Sequence, residues 1–542
     1  MTTRRTFLQG TAAALLASRT AAASPAPTAA RADLVLRGGN VFDGMGTPPI
    51  EADVAITGGR ISAIGPRLPA QGGEEIDVRG LAIAPGFVDI HSHGDGSLSA
   101  DPRAASVVRQ GVTTIIAGQD GGSRAPRTEG DVRTMAQALA AIDALRPAVN
   151  VASMVGLGTV RGVVVGDDDR PATAAELERM VWLVRQALDD GACGASSGLE
   201  YTPGAFANEA ELIALCRPLA ERRLPYSTHM RNEDDRLMEA VDEAIAVATG
   251  AGCPLQISHL KTQGPRNWPK IDRVLARIEE VKAGGLDIAF DRYPYIAYQT
   301  GLSNLFPASS RDGGTDAFLA RLADPVTGPE LRAQAAAKAE SIGGWDNVMI
   351  ASVRAEQDKP AEGQRLGTYA KSLGLPPDEV TVQLLTRNNG SVGMVGFAMS
   401  EANIARFLAH PLGMVCSDGG AFAIEGPARR GHPHPRGLGS FPRVLGHFVR
   451  ETKALTLEQA IWKMSGFPAS RVGLADRGRL RVGAVADIVA FDPATVADRA
   501  TFTEPFQYPV GIPHVLVNGV FAVRGGEQTD GRAGKAIRVG RR

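Results

Sequence analysis

The run Ala84-Pro85-Gly86-Phe87-Val88-Asp89-Ile90-His91-Ser92-His93 reads as a short apolar strand that ends on two histidines. Residues two apart on an extended chain point to the same side, so His91 and His93 can present both imidazoles to one ion. The pattern recurs downstream. Tyr226-Ser227-Thr228-His229 and Gln256-Ile257-Ser258-His259 are β-type runs that finish on a histidine, and Met414-Val415-Cys416-Ser417 leads into Asp418. The chain has 542 residues and only 9 histidines, so four of them at strand ends are not scatter.

Working outward, eight β-type runs at 86–91, 113–117, 150–155, 194–197, 226–229, 255–259, 286–290 and 414–417 alternate with helical patterns such as 174–190 and 209–221. Such alternation predicts a parallel sheet. Eight units fit an α/β fold of the (β/α)8 TIM-barrel type, with its reactive groups at the strand C-termini; a doubly wound open sheet is the alternative. Glycine-punctuated β runs at 33–43, 52–65, 484–491 and 514–521 predict a small β-sandwich domain built from both termini, 33–84 with 476–542, beside a barrel at 85–475. The stretch between the seventh and eighth strands is far longer than an ordinary βα connection. It predicts an inserted subdomain or lid at 303–411, with helices at 316–323, 329–342 and 378–387 and a strand at 347–352.

Composition narrows the function classes. With 58 Lys+Arg against 59 Asp+Glu the net charge is −1, which leaves no basic field to hold nucleic acid or anionic lipid. Four cysteines without a CxxC spacing exclude a disulfide scaffold and a thiolate zinc ribbon, and Cys416 reads as a small core residue. Thr3-Arg4-Arg5-Thr6-Phe7-Leu8-Gln9, an apolar run and a Pro/Ala-rich stretch make residues 1–32 an export signal with a linker, of twin-arginine type. A periplasmic or secreted mature protein is the expectation. No segment has the length of a membrane span, and the oligomeric state is left open.

The histidine set and the leader 81–93 resemble the amidohydrolase superfamily. Gly111-Val112-Thr113-Thr114, Ser196-Ser197-Gly198-Leu199-Glu200-Tyr201-Thr202-Pro203-Gly204, Thr228-His229-Met230-Arg231-Asn232-Glu233, Ser258-His259-Leu260-Lys261 and Ser417-Asp418-Gly419-Gly420 make the chain similar to its N-acyl-D-amino-acid deacylase (D-aminoacylase) branch. The likeness runs from about residue 33 to 525. It implies a site for one or two zinc ions, with His229 and His259 at the tighter position and His91, His93 and Asp418 at the second. One departure matters. Where the D-aminoacylase pattern has Gly-Asn-Cys-Gly, this chain has Gly118-Gln119-Asp120-Gly121, so the bridging thiolate is absent. A carboxylate can replace it; Asp120 is the first candidate bridge and Glu200 the alternative. An oxygen bridge is a harder ligand, which opens the site to manganese or cobalt.

The implied reaction is hydrolysis of the amide bond of an N-acyl amino acid by metal-activated water, with Asp418 as the proton shuttle. D configuration comes from the resemblance alone. Candidate groups for the substrate carboxylate are Lys261, Tyr293, Tyr295 and Arg436, the last because a guanidinium fork suits a carboxylate. The alternatives are a dipeptidase, imidase or xenobiotic amidase on the same centre, or a non-catalytic binding protein that has lost its metal with the cysteine.

Overall fold

The computed structural model describes residues 32–69, 73–131 and 133–540. Of the expected leader and linker, residues 1–32, all but Ala32 lie outside them. Eight short parallel strands follow one another around a barrel: Phe87–Asp89, Val112–Ala117, Asn150–Ser153, Ala195–Gly198, Tyr226–His229, Leu255–Ile257, Ile288–Arg292 and Gly413–Val415. The third strand breaks at Met154 and resumes as Val155–Gly156; its first half pairs with the second strand and its second half with the fourth. The ring closes between the eighth strand and the first. A parallel bridge joins Ser92 to Gly419, and the Asp418 N–H donates to the His91 carbonyl at 2.8 Å. The Asp89 carboxylate accepts the Ser417 N–H at 2.9 Å and the Ser417 hydroxyl.

Every residue of these eight strands is buried. That is why they read as near-continuous apolar runs: the inward face fills the barrel and the outward face carries helices. The helices start where the sequence supplies caps. Thr173 and Glu176 form a capping box ahead of Ala174–Asp189, which turns Met180, Val184 and Leu188 inward. Asn208 caps Glu209–Ala220.

Strands from both ends of the chain share one nine-stranded sheet. The sheet curls on itself, because Ile61 donates to the Ala484 carbonyl at 2.9 Å and Gly483 donates back to Ile61 at 2.8 Å. Leu36, Val54, Ile56, Ile83, Ile488 and Leu516 form its interior. A buried polar knot joins this sheet to the barrel. Asp487 accepts from the Asn518 N–H at 2.7 Å and from the Asn150 amide at 3.2 Å, and pairs with Arg477. Asn518 in turn donates to Asn150 Oδ1 at 2.8 Å.

Between the seventh and eighth barrel strands lies a subdomain with helices at Gly314–Ala323, Thr327–Ser341 and Pro377–Arg387 and a strand at Val348–Ser352. It also contains Gly393–Phe397, which pairs antiparallel with both Val348–Ser352 and Ala297–Gly301. This sheet therefore begins ahead of residue 303.

The Asp487 knot is sensitive to mutation, since removing one partner leaves a buried charge uncompensated. Asp487→Ala is expected to lower the unfolding free energy by about 3–5 kcal/mol, read from urea denaturation. A loss below about 1 kcal/mol would mean that water reaches Arg477.

Candidate metal centre

The donors named by the sequence converge on the C-terminal mouth of the barrel. His91 follows the first strand, His229 ends the fifth, and His259 lies just past the sixth; all three are buried. Asp120 Oδ2 lies 3.3 Å from His91 Nε2 and 3.2 Å from His93 Nε2. Its other oxygen, Oδ1, lies 3.4 Å from His259 Nε2 and 3.9 Å from His229 Nδ1. Asp418 Oδ1 completes the first group at 3.2 Å from His93 and 3.6 Å from His91. In the second group His229 Nδ1 and His259 Nε2 are 3.0 Å apart.

These spacings fit metal coordination. Two donors held about 2.0–2.1 Å from a tetrahedral ion stand about 3.3 Å apart. His91 Nε2 and Asp120 Oδ1 are buried without a hydrogen-bond partner. Buried polar atoms are rarely orphaned, so these two atoms fit the role of metal donors. The backbone agrees. Asp120, His259 and Asp418 have φ of 52°, 34° and 49°, a left-handed conformation that costs a non-glycine residue roughly 1–2 kcal/mol and collects at functional sites.

Carboxylates stand behind the imidazoles. Asp291 Oδ1 is 3.6 Å from His91 Nδ1 and accepts the His259 N–H at 2.8 Å. Glu200 Oε2 is 3.4 Å from His229 Nε2, the ring nitrogen turned away from Asp120. Glu233 Oε1 is 3.1 Å from His259 Nδ1. Glu200 thus sits behind one imidazole, whereas Asp120 faces four. Glu233 and Asp291 were not legible as partners of the donors; Glu233 lies inside the motif that carries His229 and Asp291 directly follows the seventh β run, but nothing in their spacing sets them apart from other acids.

The centre lies in a cleft of about 660 Å³ whose lining includes Lys261, Tyr293 and Arg436. Arg436 donates to Asp418 Oδ2 at 2.6 Å. Burial works against ionising Asp418, but that guanidinium and the imidazoles of His259, His93 and His91 outweigh it and hold the carboxyl well below the usual range. The Tyr293 hydroxyl is buried without a partner, and its ring lies under the Arg292 and Arg436 guanidinium groups at 4.2 and 4.8 Å. Lys261 Nζ is 2.6 Å from both oxygens of Glu233. Tyr295 is not brought to the cleft. Its hydroxyl donates to Asp498 at 3.1 Å and its ring packs edge-on against His434 and Phe502, because Pro294 lies between it and Tyr293 and the chain turns outward there. Cys416 is a buried thiol pushed well up by burial and nearby carboxylates.

The amidohydrolase family model matches residues 74–327 and 430–523. The chain belongs to the amidohydrolase family. It is 39% identical over 501 residues to an N-acyl-D-glutamate deacylase of Alcaligenes xylosoxydans xylosoxydans, spanning 90% of this chain and 93% of the relative. A D-aminoacylase of the same organism is 35% identical over 506 residues, with 90% and 93% covered. Among solved structures, the N-acyl-D-glutamate deacylase of Bordetella bronchiseptica, complexed with zinc and a phosphonate mimic of the tetrahedral intermediate, has a TM-score of 0.80 at 36% identity and covers 94% of this chain and all of that one.

The two positions of Asp120 and Glu200 predict different losses. Asp120→Ala is expected to remove bound metal at both positions, since it takes one oxygen from each. Glu200→Ala is expected to weaken binding by about 10–100-fold at most, through His229 alone. Metal per chain after gel filtration, by atomic emission, reads both; the reverse ranking would move the bridge to Glu200.

Proposed function

We propose that this amidohydrolase hydrolyses the amide bond of N-acyl-D-amino acids, with His91, His93 and Asp418 holding one zinc position, His229 and His259 the other, and Asp120 bridging them. The single observation that carries the reading is the orientation of Asp120, one oxygen toward each pair of imidazoles. Its oxygen donors leave manganese or cobalt as substitutes. When bound, zinc polarises a carbonyl and lowers the pKa of its water to about 7.

The chain's own residues supply the rest. Asp418 has Oδ1 toward His91 and His93 and Oδ2 on Arg436. A substrate carboxylate that draws the Arg436 guanidinium toward itself frees Oδ2 to take a proton and return it to the leaving nitrogen. The unpartnered Tyr293 hydroxyl and Lys261 line the same cleft and complete the carboxylate site. The strand Ala297–Gly301 walls the cleft through Tyr298, Gln299 and Thr300, which restricts water and shapes the acyl pocket.

The cleft also favours one class of side chain. Arg124, Arg127 and Arg430 line it, and none forms an ion pair among the described residues. Their charge suits a second carboxylate, as in N-acyl derivatives of acidic amino acids. The proposal includes export by the twin-arginine route, supported by the Arg4-Arg5 leader. No helix among the described residues is long and apolar enough to cross a membrane.

Amino-acid release from paired N-acetyl-D- and N-acetyl-L-amino acids, with zinc supplied and then chelated, tests the reaction. Metal-dependent release from the D series is expected, faster for D-glutamate and D-aspartate than for D-leucine. Release from β-aspartyl dipeptides or cyclic imides alone would replace the reading with a dipeptidase or imidase. Asp418→Asn is expected to lower kcat by at least about 100-fold in a folded, zinc-loaded protein. Near-normal turnover would remove Asp418 from proton transfer.

A further inference from the structure

His259 Nδ1 has two neighbours with opposite demands. Glu233 Oε1 stands 3.1 Å away and Lys261 Nζ 2.8 Å away. An ammonium is a donor only, and an ionised carboxylate is an acceptor only. If Lys261 donates to Nδ1, the neutral ring keeps its proton on Nε2, the nitrogen that faces Asp120 and His229. If Nδ1–H donates to Glu233, Nε2 is bare and can ligate. Among the described residues, two other histidines of the centre have a carboxylate there instead: Asp291 stands behind His91 and Glu200 behind His229. Glu233 also holds Lys261 through both oxygens at 2.6 Å, and all three side chains are at most 3% exposed.

We infer that Glu233 is a positioning residue that sets the His259 tautomer, by accepting Nδ1–H and at the same time holding the Lys261 ammonium as a donor to itself. The inference rests on the zinc assignment above. It assigns no contact with substrate to Glu233. A hydrogen-bond partner behind a metal-bound imidazole fixes its tautomer and orientation, and its loss costs typically 10–100-fold in metal affinity. Here the loss has a second part, because it leaves Lys261 as the only polar neighbour of Nδ1, favouring the tautomer that cannot bind.

The test is zinc affinity of the full-length protein by competition with a chromogenic chelator, with metal per chain as a second reading. Glu233→Met is expected to weaken zinc by about 100-fold. Glu233→Gln, which keeps an acceptor oxygen, is expected to fall between it and the unaltered chain. The double variant Glu233→Met with Lys261→Met removes the competing donor and is expected to bind zinc more tightly than Glu233→Met alone. Should Glu233→Met fail to fold around an unpaired ammonium, Glu233→Gln and the double variant still rank against the unaltered protein. Unchanged affinity in Glu233→Gln and in the double variant would overturn the inference. So would a double variant no better than the single one, since a packing role predicts no rescue. Failure of the unaltered chain to take up zinc would overturn the zinc reading itself and this inference with it.

Discussion

The Asp120 carboxylate has to reach two pairs of imidazoles at once, and much of the local structure follows from that demand. Its backbone turns into the left-handed region between Gly118 and Gly121, which adopt the same sign of φ. A side chain at Gly198 would bring its Cβ within 2.1 Å of the Asp120 carbonyl oxygen, so the loop can settle against the fourth strand only where that residue is glycine. Strain at Asp120, His259 and Asp418 is tolerated because barrel and loops fix these residues from several sides.

Around this carboxylate the site is layered by charge. Imidazoles and Asp418 point inward, while Asp291, Glu200 and Glu233 stand on the outward ring nitrogens. Cations then close the outer layer: Lys261 on Glu233 and Arg436 on Asp418. The buried carboxylates Glu233 and Asp418 therefore each have a cation as neighbour, the condition under which buried charges are retained. In the proposed reaction a substrate carboxylate would compete for those cations, which would link binding to the group proposed for proton transfer.

The barrel's supports serve the same end. The inserted subdomain delivers the Ala297–Gly301 strand to the cleft wall. The curled terminal sheet is anchored at Asn150 near the opposite end of the third strand, away from the chemistry. In the proposed centre an aspartate where the D-aminoacylase pattern has a cysteine would add reach, because a carboxylate offers two oxygens where a thiolate offers one sulfur.

The periodic and the terminal features are legible in the amino-acid order alone. Strands buried on both faces leave continuous apolar runs, and residues at a strand's end need only the local i, i+2 rule to be aimed; His91, His93, His229 and His259 were legible on that basis, and Asp120 from its place in a motif. The tertiary structure decided what depends on loops meeting across the barrel mouth. It placed Glu200 at the outward nitrogen of His229, turned Tyr295 out to Asp498, paired Lys261 with Glu233 and Arg436 with Asp418, and set Asp291 beneath two histidines. These partners lie up to 203 residues apart or in irregular backbone, where no periodicity records which way a side chain points.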